Sequence, residues 1–184
     1  LTPGAGIIAV EPFDNVGLVQ LLNGVDNGTE FTQRIAARIV MRSIYLQILV
    51  AEISPGPPME YAPYASGQLV RIMLVFDTQT NAALPVVTDI VDFVGAVTTN
   101  NLSNRDRFKV LMDKHMNTWD VRANGFKKFM KCNLQVVYGG TTSDIGSINT
   151  GGLYLVSFGD SNPTAGGPIG PGMYIKTRIR FTDD

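Results

Sequence analysis

Three stretches dense in proline and glycine limit what this chain can become: "SPGPPMEYAPYASG" at 54–67, "YGGTTSDIGSINTGG" at 138–152 and "GDSNPTAGGPIGPG" at 159–172. Proline fixes φ and removes a backbone donor, and glycine favours turns, so no helix crosses these stretches. The chain is cut into strand-length pieces. Four of them have clear strand character: 38–50 "RIVMRSIYLQILV", 68–77 "QLVRIMLVFD", 129–138 "FMKCNLQVVY" and 173–182 "MYIKTRIRFT". β-Branched and aromatic residues dominate them, with apolar side chains at a spacing of two. Weaker strand signals lie at 16–22, 107–115 and 152–158, with a short one near 144–149. A single short helix is expected over 86–93 "VVTDIVDF", capped by Thr88 or Asp89.

Seven or eight strands with unequal loops and almost no helix predict an all-β fold. The best fit is an eight-stranded antiparallel jelly roll of two four-stranded sheets joined by Greek-key connections. At 184 residues the chain makes one such domain spanning 1–184, with no internal repeat.

Composition bears on function mainly by exclusion. Charged residues make up 17%, below the roughly 25% of ordinary soluble domains. Either Ser, Thr and Asn form the solvent face, or other subunits cover much of the surface. A net charge of −1 gives no overall attraction to nucleic acid, so any such role must come from local arrangement. Cys132 is the only cysteine, which excludes an intrachain disulfide framework and makes an intracellular site of folding the default. No run has the length of a membrane helix.

One His and one Cys cannot build a zinc, copper or iron site, so cupin-type catalysis has no ligands, and neither a metal nor another cofactor is expected. His115 reads as an ordinary strand residue. The glycine-rich runs lack a Gly-Lys-Ser/Thr ending and precede strands, so they are turns and not phosphate loops. Asp77, Asp89, Asp92, Asp160, Asp183 and Asp184 show no calcium-loop spacing, and a calcium shared between subunits would draw its ligands from different chains. No enzymatic constellation emerges.

The strongest functional signal is a row of cations. In an extended 173–182, Ile175, Thr177, Ile179 and Phe181 turn to the core, while Lys176, Arg178 and Arg180 line the other face about 7 Å apart. In 68–77 the same alternation turns Val70, Ile72, Leu74 and Phe76 inward and sets Arg71 outward. Pairing of these two strands in one sheet would add Arg71 to the row. Arg34, Arg38 and Arg42 fall at even spacing, but Ile39, Val40, Met41 and Ile44 do not alternate cleanly, so their face stays open. Lys127, Lys128 and Lys131 form a further cluster in "FKKFMKCN". Cations on strands also blunt sheet edges; as a row they suit phosphate or subunit contacts. The nearest rings for base stacking are Tyr174 and Phe181, a thin supply that suggests no sequence-specific reading.

The order of "VGLVQLLNGVDNGTEFTQRIAARIVMRSIYLQILV", "RIMLVFDTQTNAALP", "NNLSNRDRFKVLMDKH", "KKFMKCNLQVVYGG" and "KTRIRFTDD" along nearly the whole chain resembles the coat proteins of small circular single-stranded DNA viruses. The geminivirus type is nearest, and the layout is similar to the satellite tobacco necrosis virus coat protein. The resemblance implies a non-enzymatic capsid subunit, self-assembly into a small icosahedral shell (T=1, sixty copies), and a genome, single-stranded DNA, held without sequence specificity by basic residues of the inner face. By character those residues are Arg71, Lys176, Arg178, Arg180, Arg34, Arg38 and Arg42. The basic N-terminal arm usual in these proteins does not stand in this sequence. Localisation would be the virion, and the host cytoplasm or nucleus during assembly. Met59, Tyr61, Tyr64 and Trp119, in polar or Pro-rich loops, are the expected interface anchors. The alternative is a jelly-roll ligand-binding module, lectin-like or trimeric, using the loops at 54–67 and 159–172.

Overall fold

A computed structural model describes residues 7–52, 69–118, 124–160 and 171–184. Nine strands follow in order: β1 Ile7–Pro12, β2 Leu18–Leu21, β3 Arg38–Glu52, β4 Leu69–Asp77, β5 Phe108–Asn117, β6 Asn124–Tyr138, β7 Ile148–Thr150, β8 Gly152–Gly159 and β9 Pro171–Asp183. All pairings between these strands are antiparallel. One sheet has the order β1-β9-β3-β6-β7, the other β2-β8-β4-β5.

The chain is a long nested hairpin rolled on itself. β1 pairs with β9, β2 with β8, β3 with β6 and β4 with β5; rolling then adds the β3–β9 and β4–β8 ladders. The result is the expected jelly roll, two four-stranded sheets, with three-residue β7 appended to the β6 edge. β3 and β9 belong to one sheet, β4 and β8 to the other. β4 therefore lies in the sheet across the core from that of β9 and not beside β9, so the expectation that Arg71 would join the terminal row does not hold.

The four clear strand signals correspond to β3, β4, β6 and β9, and the weaker ones to β2, β5, β7 and β8. β1, "IIAVEP", has no counterpart among the expected strands. The expected helix shrinks to one turn, α1 Val87–Ile90, in which Asp89 takes the third position and accepts from the Val86 N–H at 3.0 Å.

The two sheets are covered differently. Between them lies the core, built from Ile39, Met41, Ile44, Leu46, Ile48 and Val50 of β3, Val70, Ile72, Leu74 and Phe76 of β4, and Ile175, Ile179 and Phe181 of β9. The far side of the β2-β8-β4-β5 sheet is buried again. Met73, Val75, Tyr154, Val156 and Phe158 pack there under Val87, Ile90 and Val91, carried by the long 78–107 connection. β4 and β8 are thus enclosed on both faces, which explains why "VRIMLVF" and "GLYLVSF" are apolar at nearly every position. From Met173 to Thr182, β9 alternates strictly between buried and exposed residues, so the far side of its sheet is open.

Candidate nucleic-acid interface

The open face is a grid of rows set by register. Arg180, Ser43 and Lys131 are cross-strand neighbours on β9, β3 and β6; so are Arg178, Tyr45 and Phe129; so are Lys176, Gln47 and Lys127. Tyr174, Leu49 and Gly125 follow in a fourth row. Rows on one face repeat about every 7 Å, and neighbours within a row stand about 5 Å apart. Lys176, Arg178, Arg180, Lys127 and Lys131 are exposed. None of the five is among the ion pairs of the described residues.

A bulge adds a sixth cation. Register shifts between Met41 and Ser43 against both neighbours, leaving Arg42 as an extra residue opposite β9. This shift changes the inward phase from Ile39 and Met41 to Ile44 and Leu46, and it is the physical reason for the broken alternation in "RIVMRSIYL". Arg42 projects to solvent, donating from Nε to Thr182 Oγ1 at 3.1 Å and from Nη1 to Asn133 Oδ1 at 2.5 Å. Arg42, Lys131, Arg180 and Phe129 line a depression of about 600 Å³, shared with Gln33, Ser43, Phe181, Thr182 and Asp183. Asp183 is the carboxylate at its rim, where Oδ1 accepts from the Ile35 and Ala36 N–H groups, each at 3.3 Å. Arg38, exposed and opposite Val137, stands at the start of β3 beyond the grid.

Two expected members are structural. Arg71 does point away from the inter-sheet core, as its strand parity requires, but the 78–107 connection covers that side and leaves it 3% exposed. Its guanidinium binds Asp113 through both oxygens, at 2.9 and 2.6 Å, and also donates to Thr98 O and Asn100 Oδ1. Arg34 is 1% exposed. It donates to the carbonyls of Val25, Ala36 and Gly140 and lies 4.0 Å over the Tyr138 ring. A planar fork with five donors can tie three chain segments together in this way. Neither arginine can reach a phosphate, and both are removed from the candidate interface.

Lys127 and Lys131, noted as a cluster but not assigned to the row, enter the grid through register with β3. Lys128 lies on the opposite side of β6, aligned with buried Leu46. Phe181 is in the core and supplies no ring to the face. Phe129 and Tyr45 do, and they were missed; the Lys127-Phe129-Lys131 spacing of two in "KKFMK" was the available signal. Met59, Tyr61, Tyr64 and Trp119 lie outside the described residues, as does nearly all of the loops at 54–67 and 159–172.

Among the described residues, no three His, Cys, Asp or Glu side chains gather as a metal site would require, and no helix is long and apolar enough to cross a membrane. Buried polar groups elsewhere brace the fold. Asp77 is held by Arg107 at 3.0 and 2.9 Å, and this partner raises the Arg107 pKa despite the opposing effect of burial. The Asn23 carbonyl accepts a hydrogen bond from the Tyr138 hydroxyl, and its side chain donates to Gly151 O and accepts from the Leu153 N–H. No protein-family model matches the chain, and comparison with curated proteins finds no match.

Proposed function

We propose that the protein is a non-enzymatic capsid subunit that self-assembles into a small closed shell and encloses nucleic acid through the open face of the β9 sheet. One observation carries this reading. Six cations, Arg42, Lys127, Lys131, Lys176, Arg178 and Arg180, share one sheet face whose four grid rows contain no Asp or Glu, although the chain as a whole has a net charge of −1. So segregated a surface attracts polyanions without giving the subunit a basic overall charge, and regularly spaced Lys and Arg on strands suit sequence-independent phosphate contacts.

Assembly has separate support. Phe31, Ile35, Phe93, Val97 and Leu102 are each more than half exposed, all on the 26–37 and 78–107 connections. Neighbouring subunits would cover such side chains, and their burial accounts for a surface poor in charge. No observation on the described residues favours the ligand-binding module.

Light scattering on the purified chain, with ultraviolet absorbance on the same peak, tests both parts. The expected result is a megadalton particle whose spectrum carries a nucleic-acid contribution, lost when Arg178 and Arg180 are changed to Glu. A stable trimer or monomer under assembly conditions would overturn the shell. Unchanged packaging in the R178E/R180E variant would overturn the role of the face.

A further inference from the structure

The grid contains more than charge. Phe129 is 57% exposed and Tyr174 41% exposed, with Tyr45 between Phe129 and Arg178 in the central row. Along the sheet, a row with an aromatic ring alternates with a row of cations: Tyr174 with Leu49, then Lys176 and Lys127, then Tyr45 and Phe129 beside Arg178, then Arg180 and Lys131. Tyr45 is anchored by its hydroxyl to Gln47 Oε1 at 3.3 Å, while Phe129 has no polar atom to hold in water. A bare phenyl ring among cations, on the rim of the depression lined by Arg42, Lys131 and Arg180, suits a partner that brings negative charge and a flat apolar surface together.

We infer that the occupant of this face is an unpaired nucleic-acid strand, with a base stacked on Phe129 and the phosphates of that strand on the surrounding lysines and arginines. This rests on the proposed role of the face as a nucleic-acid contact and specifies which form of nucleic acid it selects. A duplex offers phosphates but hides its base faces, and a sulfated or acidic polymer offers charge without rings. An unpaired strand presents both, every base has a stackable face, and aromatic platforms within basic grooves bind such strands with little sequence preference. The ring is exposed and stands on the outward side of β6, aligned with Tyr45 of β3, so its removal leaves the core untouched.

The test compares wild type, F129A and F129W on dissociated subunits, using oligothymidylate, oligouridylate, duplex DNA of the same length, and heparin. Wild type is expected to bind both single strands more tightly than the duplex. F129A should weaken single-strand binding roughly 5- to 150-fold, the range for loss of one base stack, and leave heparin and duplex binding unchanged. F129W should restore it, and thermal melting should be the same for all three proteins. The inference is overturned if F129A has no effect, if it weakens all four ligands equally, or if it alters particle mass while oligonucleotide binding stays the same, which would make Phe129 a subunit contact. Wild type that binds heparin and duplex as tightly as single strands, with F129A silent, defeats the stacking alone. Wild type that binds none of the four defeats the basic-face reading together with it.

Discussion

Removing Lys176, Arg178 and Arg180 together, as K176A/R178A/R180A, tests whether the β9 sheet face is where phosphates sit. These side chains are exposed, stand on the solvent parity of β9 and form no ion pair among the described residues, so their loss should leave stability nearly unchanged. Their effect on binding can be worked out. Each neutralised phosphate contributes about −0.7 to the slope of log affinity against log salt for a single strand. The six grid cations then give a slope of about −4.2, and the three that remain about −2.1. Between 50 and 200 mM salt the wild-type affinity should fall roughly 300-fold and that of the triple variant roughly 20-fold. Fluorescence anisotropy of a labelled oligothymidylate across that range measures both slopes. Arg105→Ala is the control. It also removes a cation, but from the 78–107 connection, where Arg105 is highly exposed and its one ion pair among the described residues is a long 3.9 Å contact to Asp106. Its slope should match wild type. A triple-variant slope equal to wild type, or an Arg105→Ala slope that falls by as much per charge, would show that binding follows net charge and not this face.

Two further outcomes follow from the buried polar groups. Arg34→Met leaves three carbonyls without their shared donor and strips the cation from the Tyr138 ring, and should cost about 3–5 kcal/mol in denaturant unfolding, with Arg34→Lys restoring little because an ammonium lacks the fork; a loss below about 1 kcal/mol would return Arg34 to the class of surface cations. Alkaline stability should decline through Tyr138 and Tyr154, whose pKa values burial raises above the ordinary 10.0, with the Asp77 charge adding to the effect at Tyr154. Their contribution is intact below that value and is lost as the pH rises past it, because the unfolded chain ionises first, by about 1.4 kcal/mol per pH unit for each. Urea unfolding at several pH values above 10 should give a shallower decline for Tyr138→Phe and for Tyr154→Phe, and equal slopes in all three proteins would refute it.

How far the sequence could be read depended on whether each residue's environment is local. Strand alternation is local, and it placed Lys176, Arg178, Arg180 and the inward Ile175, Ile179 and Phe181 on their correct sides. It also placed Arg71 on the side away from the inter-sheet core. What it could not show is that the 78–107 connection folds over that side and closes on the guanidinium with Asp113, Thr98 and Asn100, because a cover is a tertiary event with no period in the strand it covers. The near-continuous apolar run of β4, with Leu69, Met73 and Val75 beside Arg71, was the one trace of that second burial. β1 was passed over for a related reason. "IIAVEP" is short, and among the described strands it pairs with β9 alone, at the edge of its sheet.

The same limit explains the arginines of 34, 38 and 42 and leads back to the open face. An even spacing of four implies a common side only if one secondary structure runs through it. Here it does not, since Arg34 precedes β3 and the bulge at Arg42 shifts the phase within it. The spacing therefore gathers a buried clamp, a strand-end cation and a grid member that do different work. The grid itself, by contrast, is a product of register. Lys127, Phe129 and Lys131 are separated from Lys176, Arg178 and Arg180 by more than forty residues of chain, and they meet because β3 pairs with β6 on one side and β9 on the other. A one-residue slip of either ladder would turn its row toward the core, where ionised groups without partners are strongly disfavoured. The burial of Ile44, Leu46 and Ile48 that fixes the core thus also fixes which cations face outward together. The basic face is set by the packing behind it, and variants that disturb that packing should lose nucleic acid and stability together, whereas the surface substitutions above should separate the two.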